Sequence, residues 1–168
     1  RRIEARWSRW GVVVDDSAGM SLSRSAQGRL VGLVARLMAD PLDPILILAL
    51  IKHPTVRAHP RAVRGLEEAA FRGPRPRSWT EVQARILAAR SADERGKVRP
   101  TWRLARLDAA EDLAEKLQAI LPDETDDASP GDMAEQLVAL IEALAGTRAW
   151  VGPDGEAAAR LLAGLIEH

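Results

Sequence analysis

The run of seven apolar residues from Ile45 to Ile51 limits the folds open to this chain more than any other stretch. Asp43-Pro44 precedes it in the order expected of a helix N-cap followed by proline at the first helical position. His53-Pro54 ends it, because the residue before a proline is pushed out of the α region. A helix that is apolar on every side belongs inside a protein. We therefore predict a short helix at the buried centre of a domain, which the substitution Leu48→Asp should unfold.

Helical spacing of apolar residues and N-cap signals predict further helices on both sides of this centre. Ser25 is placed to cap a helix that runs to about Ala39, and Ser78 and Ser129 open later helices in the same way. The β-branched triplet Val12–Val14 predicts at most a vestigial strand. The fold class is therefore mainly α, with residues 1–168 forming a single helical domain. The other expected helices cover residues 1–10, 61–72, 79–90, 102–121, 130–145 and 156–167.

The same spacing predicts which apolar side chains face the core. The tryptophans lie near element boundaries, where Trp commonly anchors a core, and stacking on unpaired bases is the alternative for each of them. In the helix that follows Ser78 the pattern leaves Leu87 open. The remaining inward positions are Leu30, Leu33, Val34, Leu37, Met38, Val63, Leu66, Ala70, Phe71, Val82, Ile86, Leu104, Leu107, Leu113, Leu117, Ile120, Leu121, Met133, Leu137, Leu140, Ile141, Leu144, Leu161, Leu162, Leu165 and Ile166.

Charge is divided unevenly along a chain whose net charge is zero. Residues 1–107 carry 21 Lys+Arg and 10 Asp+Glu, a net +11, whereas residues 108–168 carry 3 and 14, a net −11. The basic half is rich in Arg, whose planar guanidinium binds phosphate bidentately and so suits a polyanion. A high-GC genome produces the same Arg bias without any function. The asymmetry itself fits DNA, a partner subunit, or attraction between the two halves.

The candidate DNA contacts are cations that cluster in one segment of the basic half. This segment ends in the loop Arg72–Arg77, whose prolines favour an extended backbone that holds its arginines apart. The candidates are Lys52, Arg57, Arg61, Arg64, Arg72, Arg75 and Arg77.

Residues for catalysis or for cofactor binding are not apparent in the sequence. It has no Gly-rich loop that ends in Gly-Lys-Ser/Thr, and its three histidines form no nucleophile–base pattern. Asp15-Asp16 is interpreted as a turn, and the acidic loop 123–132 does not have the spacing of a calcium loop. Zero cysteines exclude a thiolate metal site, and no apolar run reaches the ~18 residues of a membrane span. We therefore assign no catalytic residue, no metal and no cofactor to these residues, and expect no membrane partner.

Several groups of residues, in their order and spacing, resemble the AddB family of bacterial double-strand break repair proteins. These groups are Arg9-Trp10-Gly11, residues 15–19, residues 48–54 and residues 71–76, followed by Thr101-Trp102 and by Trp150 with residues 155–162.

The resemblance implies a DNA-handling helical region in a UvrD-like helicase lobe. The whole family member would be a subunit of an ATP-dependent helicase–nuclease that processes double-strand breaks for recombination, with AddA as the partner subunit. The family's ATP-related site and iron–sulfur cluster would lie outside these residues, so the resemblance assigns no enzyme activity to them. Since the chain begins at Arg1, we expect an internal piece of a longer cytoplasmic protein. The alternative is a helical scaffold that docks a partner subunit without contacting DNA.

Overall fold

The computed structural model describes residues 21–95, 101–121 and 129–167. Helices account for 81% of these residues, and no β-strand occurs among them. The prediction of a mainly α fold is thus confirmed. The helix predicted for residues 1–10, the triplet Val12–Val14 and most of the acidic loop 123–132 lie outside the described residues.

Seven α-helices are described, together with two 3-10 turns, Leu22–Arg24 and Gly146–Trp150, and a π-helical segment. The π segment, Glu67–Phe71, continues directly from the third α-helix. The α-helices are α1 Ala26–Ala39, α2 Pro44–Ile51, α3 Pro60–Leu66, α4 Trp79–Arg95, α5 Thr101–Ile120, α6 Pro130–Ala145 and α7 Gly152–Ile166. None of the helices in the described part of the chain is long and apolar enough to cross a membrane.

The helix N-caps follow the sequence closely. Ser25 Oγ accepts the Gly28 N–H at 3.0 Å, and Asp43 Oδ1 accepts the Ile45 N–H at 2.7 Å. At Ser129 the capping is reciprocal, because Asp132 accepts the Ser129 N–H in return. At Ser78 it is only half reciprocal: Ser78 Oγ accepts the Glu81 N–H, but the Glu81 carboxylate accepts the N–H of Arg77.

Helix α2 is buried on one side only, which corrects the prediction of an all-round buried helix. Ile47, Leu50 and Ile51 are buried, whereas Ile45 is 77% exposed and Leu48 is half-buried. The reason is that α2 packs mainly against α1, so that one face has no helix of the described chain over it. The residue whose replacement by Asp should unfold the domain is therefore Leu50 and not Leu48.

Helices α3, α4 and α5 form a closely packed group. Gly65 is buried at the contact of α3 with α5, where a Cβ would lie 2.5 Å from the Arg106 carbonyl oxygen. Trp79 at the start of α4 is fully buried, and its Nε1–H donates to the Leu121 carbonyl at 2.6 Å. Helix α1 packs on α2 and also on α6 and α7, and α5 of the closely packed group contacts α6 as well.

Two predicted helix boundaries differ from the structure. Helix α4 runs to Arg95 instead of Arg90, and Leu87, which the pattern left open, is exposed. Helix α7 begins at Gly152 instead of Glu156, because Pro153 lies in its first turn, where the missing N–H has no intrahelical partner to lose. Gly152-Pro153-Asp154-Gly155, which the sequence pattern left outside the helix, is therefore its first turn.

Helices α6 and α7 bury fewer large side chains than predicted. Leu137, Ile141 and Leu162 are buried, but Met133, Leu161, Leu165 and Ile166 are exposed, and Leu161 is 52% exposed. Four of the buried side chains here are alanines, which allow close approach: Ala134 and Ala145 of α6, Ala158 of α7, and Ala149 of the 3-10 turn between them. A contact through alanines uses a narrow stripe of each helix, so apolar residues on its flanks remain outside it.

Candidate nucleic-acid interface

An open groove of about 600 Å³ lies between the end of α2 and the helical stretch 60–71. Lys52, Arg64 and Arg72 line it, so three of the seven candidate DNA contacts meet there. Arg57 lies between two lining residues and Arg61 directly follows a third, Pro60. The structure therefore brings three of the seven candidates together in one groove, which we call the cationic groove.

Two adjacent carboxylates of the π-helical segment hold the cations of this surface. Glu67 accepts from Lys52 Nζ at 2.7 Å and lies 3.9 Å from the Arg72 guanidinium. Glu68 accepts from Arg64 Nε at 2.8 Å. Since its other oxygen accepts from Arg106 at 2.6 Å, two negative charges hold four positive charges. Because the positive charges outnumber the negative ones, this surface has a net positive charge.

The charges of the Arg64–Glu68 pair persist at neutral pH. Hydrogen bonds from Arg64 and then Arg106 lower the pKa of Glu68, and the bond to Glu68 raises the pKa of Arg64. Arg57 and Arg61 are exposed, and within the described ranges their side chains make no ion pair. These two guanidinium groups are thus free to meet a phosphate without first leaving a carboxylate.

Arg75 and Arg77 lie elsewhere, beside a separate cavity of about 350 Å³ that Asp40 also lines. Both guanidinium NH₂ groups of Arg75 bond the two Asp40 oxygens, and this hydrogen bonding raises the pKa of Arg75. Pro76 between them is buried, and the Arg77 side chain is exposed. The extended loop therefore separates its arginines, with Arg72 in the cationic groove and Arg75 fastened to the end of α1.

His53 lies in the wall of the groove but is not a free ligand. Its Nε2–H donates to the Ala26 carbonyl at 3.1 Å, and its Nδ1 accepts the Thr55 N–H at 3.3 Å. Burial lowers the pKa of His53, and the positive charge of Arg29 lowers it further. Both ring nitrogens of this buried histidine thus have partners, and His53 ties the end of α2 to the start of α1.

The three described tryptophans have different environments. Trp79 anchors the core as predicted, and Trp150 is half-buried with its Nε1–H on Glu142 Oε1 at 3.0 Å. Trp102 is 55% exposed, so the prediction that it anchors the core is wrong. The guanidinium carbon of Arg106 lies 4.7 Å from its ring centre. The i, i+4 spacing of Trp102 and Arg106 in an Arg-rich helix start is the sequence signal for this stacked pair.

The acidic half is neutralised by the basic half at one described point. Arg90 bonds both Asp108 and Glu111, at 2.7 and 2.5 Å. By contrast, four exposed carboxylates of α5 to α7 make no ion pair within the described part of the chain: Asp112, Glu115, Glu135 and Glu156. Attraction between the halves therefore leaves much of the acidic surface unpaired.

In the described ranges, no group of three or more His, Cys, Asp or Glu side chains is arranged to hold a metal ion. No family model, no curated protein and no solved structure matches this chain. The AddB resemblance accordingly rests on the residues that carry it.

Proposed function

We propose that this chain is the DNA-handling helical region of an AddB-like subunit of an ATP-dependent helicase–nuclease. In this proposal it belongs to a UvrD-like helicase lobe, works in the cytoplasm beside an AddA partner, and serves double-strand break repair by recombination. The resemblance suggests the family. The observation that carries the DNA-binding part is the convergence of Lys52, Arg64 and Arg72 on one groove. Arg57 and Arg61 are exposed sequence neighbours of residues that line it.

The geometry of the cationic groove favours an extended polyanion. Its cations come from separate positions along residues 52–72, so they offer several contacts in a row and not one enclosed phosphate pocket. Glu67 and Glu68 hold the long Lys and Arg side chains near the groove, which reduces the entropy lost when a phosphate binds. Contacts of this kind position a nucleic acid but do not read its sequence.

The double variant Arg57→Ala/Arg61→Ala tests the cations next in sequence to the groove lining, because these exposed arginines have no described ion pair to lose. On single-stranded DNA each lost phosphate contact should reduce the salt slope of log K by about 0.7, or about 1.4 for both. Fluorescence anisotropy between ~50 and ~200 mM salt measures this slope.

The matched control is Arg148→Ala/Arg160→Ala, which removes two exposed arginines from the acidic half. We expect its salt slope to equal that of the unchanged protein, and we expect both variants to melt normally because exposed charges contribute little to stability. Equal slopes in the two variants would show that Arg57 and Arg61 do not contact DNA, and the groove lining itself is tested by Arg72.

The loop arginines give a second comparison. Arg72→Ala should lower the salt slope, because Arg72 lines the groove. Arg75→Ala should leave the slope unchanged and lower the melting temperature slightly, because Arg75 holds the loop to Asp40. If Arg75→Ala lowered the slope and Arg72→Ala did not, the DNA contact would lie at the second cavity and not in the cationic groove.

A second candidate function is a scaffold that docks the partner subunit through the acidic half. The unpaired carboxylates of α5 to α7, together with exposed Leu161 and Leu165, favour it. Size-exclusion chromatography with purified AddA tests it, with Leu161→Asp/Leu165→Asp as the variant expected to lose the complex. If the unchanged chain binds AddA but neither single-stranded nor duplex DNA at low salt, this candidate replaces the first.

A further inference from the structure

Trp102 is a large aromatic side chain on the surface in the first turn of α5. Trp is on average a highly buried residue, so 55% exposure needs a reason. Neither the groove nor the core explains this exposure, because Trp102 does not line the groove and is not part of the hydrophobic core. Its indole ring is thus available to something outside the described chain.

Arg106 supports this ring from one side. Its guanidinium carbon lies 4.7 Å from the ring centre, close enough for a cation–π contact. Arg106 is itself held by Glu68 at 2.6 Å and has a side chain only 18% exposed. One face of the indole is therefore covered by a fixed group, and the 55% exposure of the residue leaves room for a flat partner.

The same contacts connect Trp102 to the cationic groove. Glu68 accepts from Arg106 on one oxygen and from Arg64 on the other, and Arg64 lines the groove. A strand whose phosphates lie in the groove would thus have bases within reach of the indole. Cationic tracking of the backbone combined with aromatic stacking is the pattern of proteins that bind single strands.

We propose that Trp102 is a stacking platform for an unpaired base, and that Arg106 is the positioning residue that holds it. The inference rests on the proposed function and deepens it, because it makes single-stranded nucleic acid the ligand. In a duplex both faces of an internal base are covered by its neighbours, so that a base has no face left for the indole. Trp102 should therefore contribute to the binding of single strands and not of blunt duplexes.

The experiment compares Trp102→Ala and Trp102→Phe with the unchanged 168-residue chain, using an oligo(dT) strand and a blunt two-stranded duplex without a loop at equal salt. Trp102→Ala should weaken oligo(dT) binding about tenfold, because one base–aromatic stack typically contributes that much or somewhat more. Trp102→Phe should recover part of the loss, since it keeps an aromatic face. Duplex binding and the salt slope should not change, because the phosphate contacts remain.

A spectroscopic readout separates stacking from a merely structural role. Oligo(dT) should quench part of the tryptophan fluorescence of the unchanged chain, and Trp102→Phe should remove most of that quenching. Exposed Leu87, replaced by Ala in α4, is the control for loss of a surface apolar group and should have no effect on binding.

The outcomes distinguish the two proposals. If Trp102→Ala binds oligo(dT) normally, or loses oligo(dT) and duplex equally, the stacking platform is wrong. The DNA-binding proposal then still stands provided that Arg57→Ala/Arg61→Ala lowers the salt slope. If the unchanged chain binds neither ligand at low salt, both proposals fail.

Discussion

The groove region, α2 to α5, and the terminal pair, α6 and α7, are built from similar helices but bury different side chains. The groove region interlocks large groups such as Trp79, Phe71 and Ile86, and most of its charged groups at the groove are paired. The terminal pair packs through alanines and leaves Leu161 and Leu165 exposed. An apolar stripe in the sequence therefore predicts which face of a helix turns towards the core. The size of the side chains in contact decides how much of that face is buried.

The largest difference between the regions should come from burying a charge. Leu50 is fully buried in α2, so Leu50→Asp places a carboxylate in an apolar core and should leave no cooperative unfolding transition. Leu161→Asp in α7 should change the free energy of unfolding by less than about 1 kcal/mol, because that side chain is half in solvent. Urea unfolding followed by circular dichroism measures both. A folded Leu50→Asp variant would contradict the assignment of the core.

A matched pair of glycines gives effects of opposite sign. A Cβ on Gly65 would lie 2.5 Å from the Arg106 carbonyl oxygen, so Gly65→Ala must push α3 and α5 apart and should cost about 1–3 kcal/mol. A Cβ on Gly164 meets nothing within 4 Å, so Gly164→Ala should stabilise α7 by up to ~1 kcal/mol. Thermal melts of the two variants check this. Equal shifts would mean that α3 and α5 are not in close contact.

The pH dependence of stability should be centred on the groove region. Burial lowers the pKa of His53 in the folded state. In the unfolded chain the histidine has its ordinary pKa of about 6.5, so below that pH the unfolded chain binds a proton more readily than the folded one. Stability should therefore be complete well above that pH and decrease as the pH falls through it, from pH 7 to pH 5.5. The lowered pKa values of Glu68 and Glu81 act only below about pH 4.5 and leave this window clear.

The variant His53→Gln tests this assignment, because its amide can still donate to the Ala26 carbonyl but does not titrate. Its melting temperature should change less than that of the unchanged chain between pH 7 and pH 5.5. A parallel decrease in both proteins would assign the pH dependence to another group.

The smallest expected effects come from the helix caps, and they test whether the two regions melt together. Ser78→Ala and Ser129→Ala each remove a side-chain acceptor at a helix start and should cost about 1 kcal/mol. If residues 1–168 form a single domain, as predicted from the sequence, both variants shift one common transition. A Ser129→Ala variant with a second, lower transition would show that the terminal pair unfolds separately.

The features that could be predicted from the sequence are those decided by near neighbours in the chain. The caps at Ser25, Asp43 and Ser129 depend on residues two or three positions away, and the five inward residues predicted for α1 are all buried. The π-helical segment was not predicted, because the apolar spacing of Val63, Leu66, Ala70 and Phe71 suits an uninterrupted α-helix.

The features that escaped prediction depend on which elements meet. The Arg75–Asp40 pair joins residues 35 positions apart. Ile45 is exposed because no helix of the described chain packs over its side of α2, and the sequence near Ile45 does not determine that arrangement. The clustering of the basic candidates was predicted as a segment, but its division between two surfaces required the fold. Trp102 was misassigned because a tryptophan at a helix start has the same sequence pattern whether it faces the core or the solvent.

The position of α1 has a consequence for the synthesis of this chain. Helix α1 packs on α2 but also on α6 and α7, and about 90 residues separate its end at Ala39 from Pro130. At ~5–20 residues per second, a ribosome needs on the order of 5–20 s to make that stretch. During this time the part of α1 that packs on α6 and α7 stays uncovered, because those two helices have not yet been synthesised. The nascent chain is therefore most exposed to aggregation, and most in need of a chaperone, before its last two helices emerge.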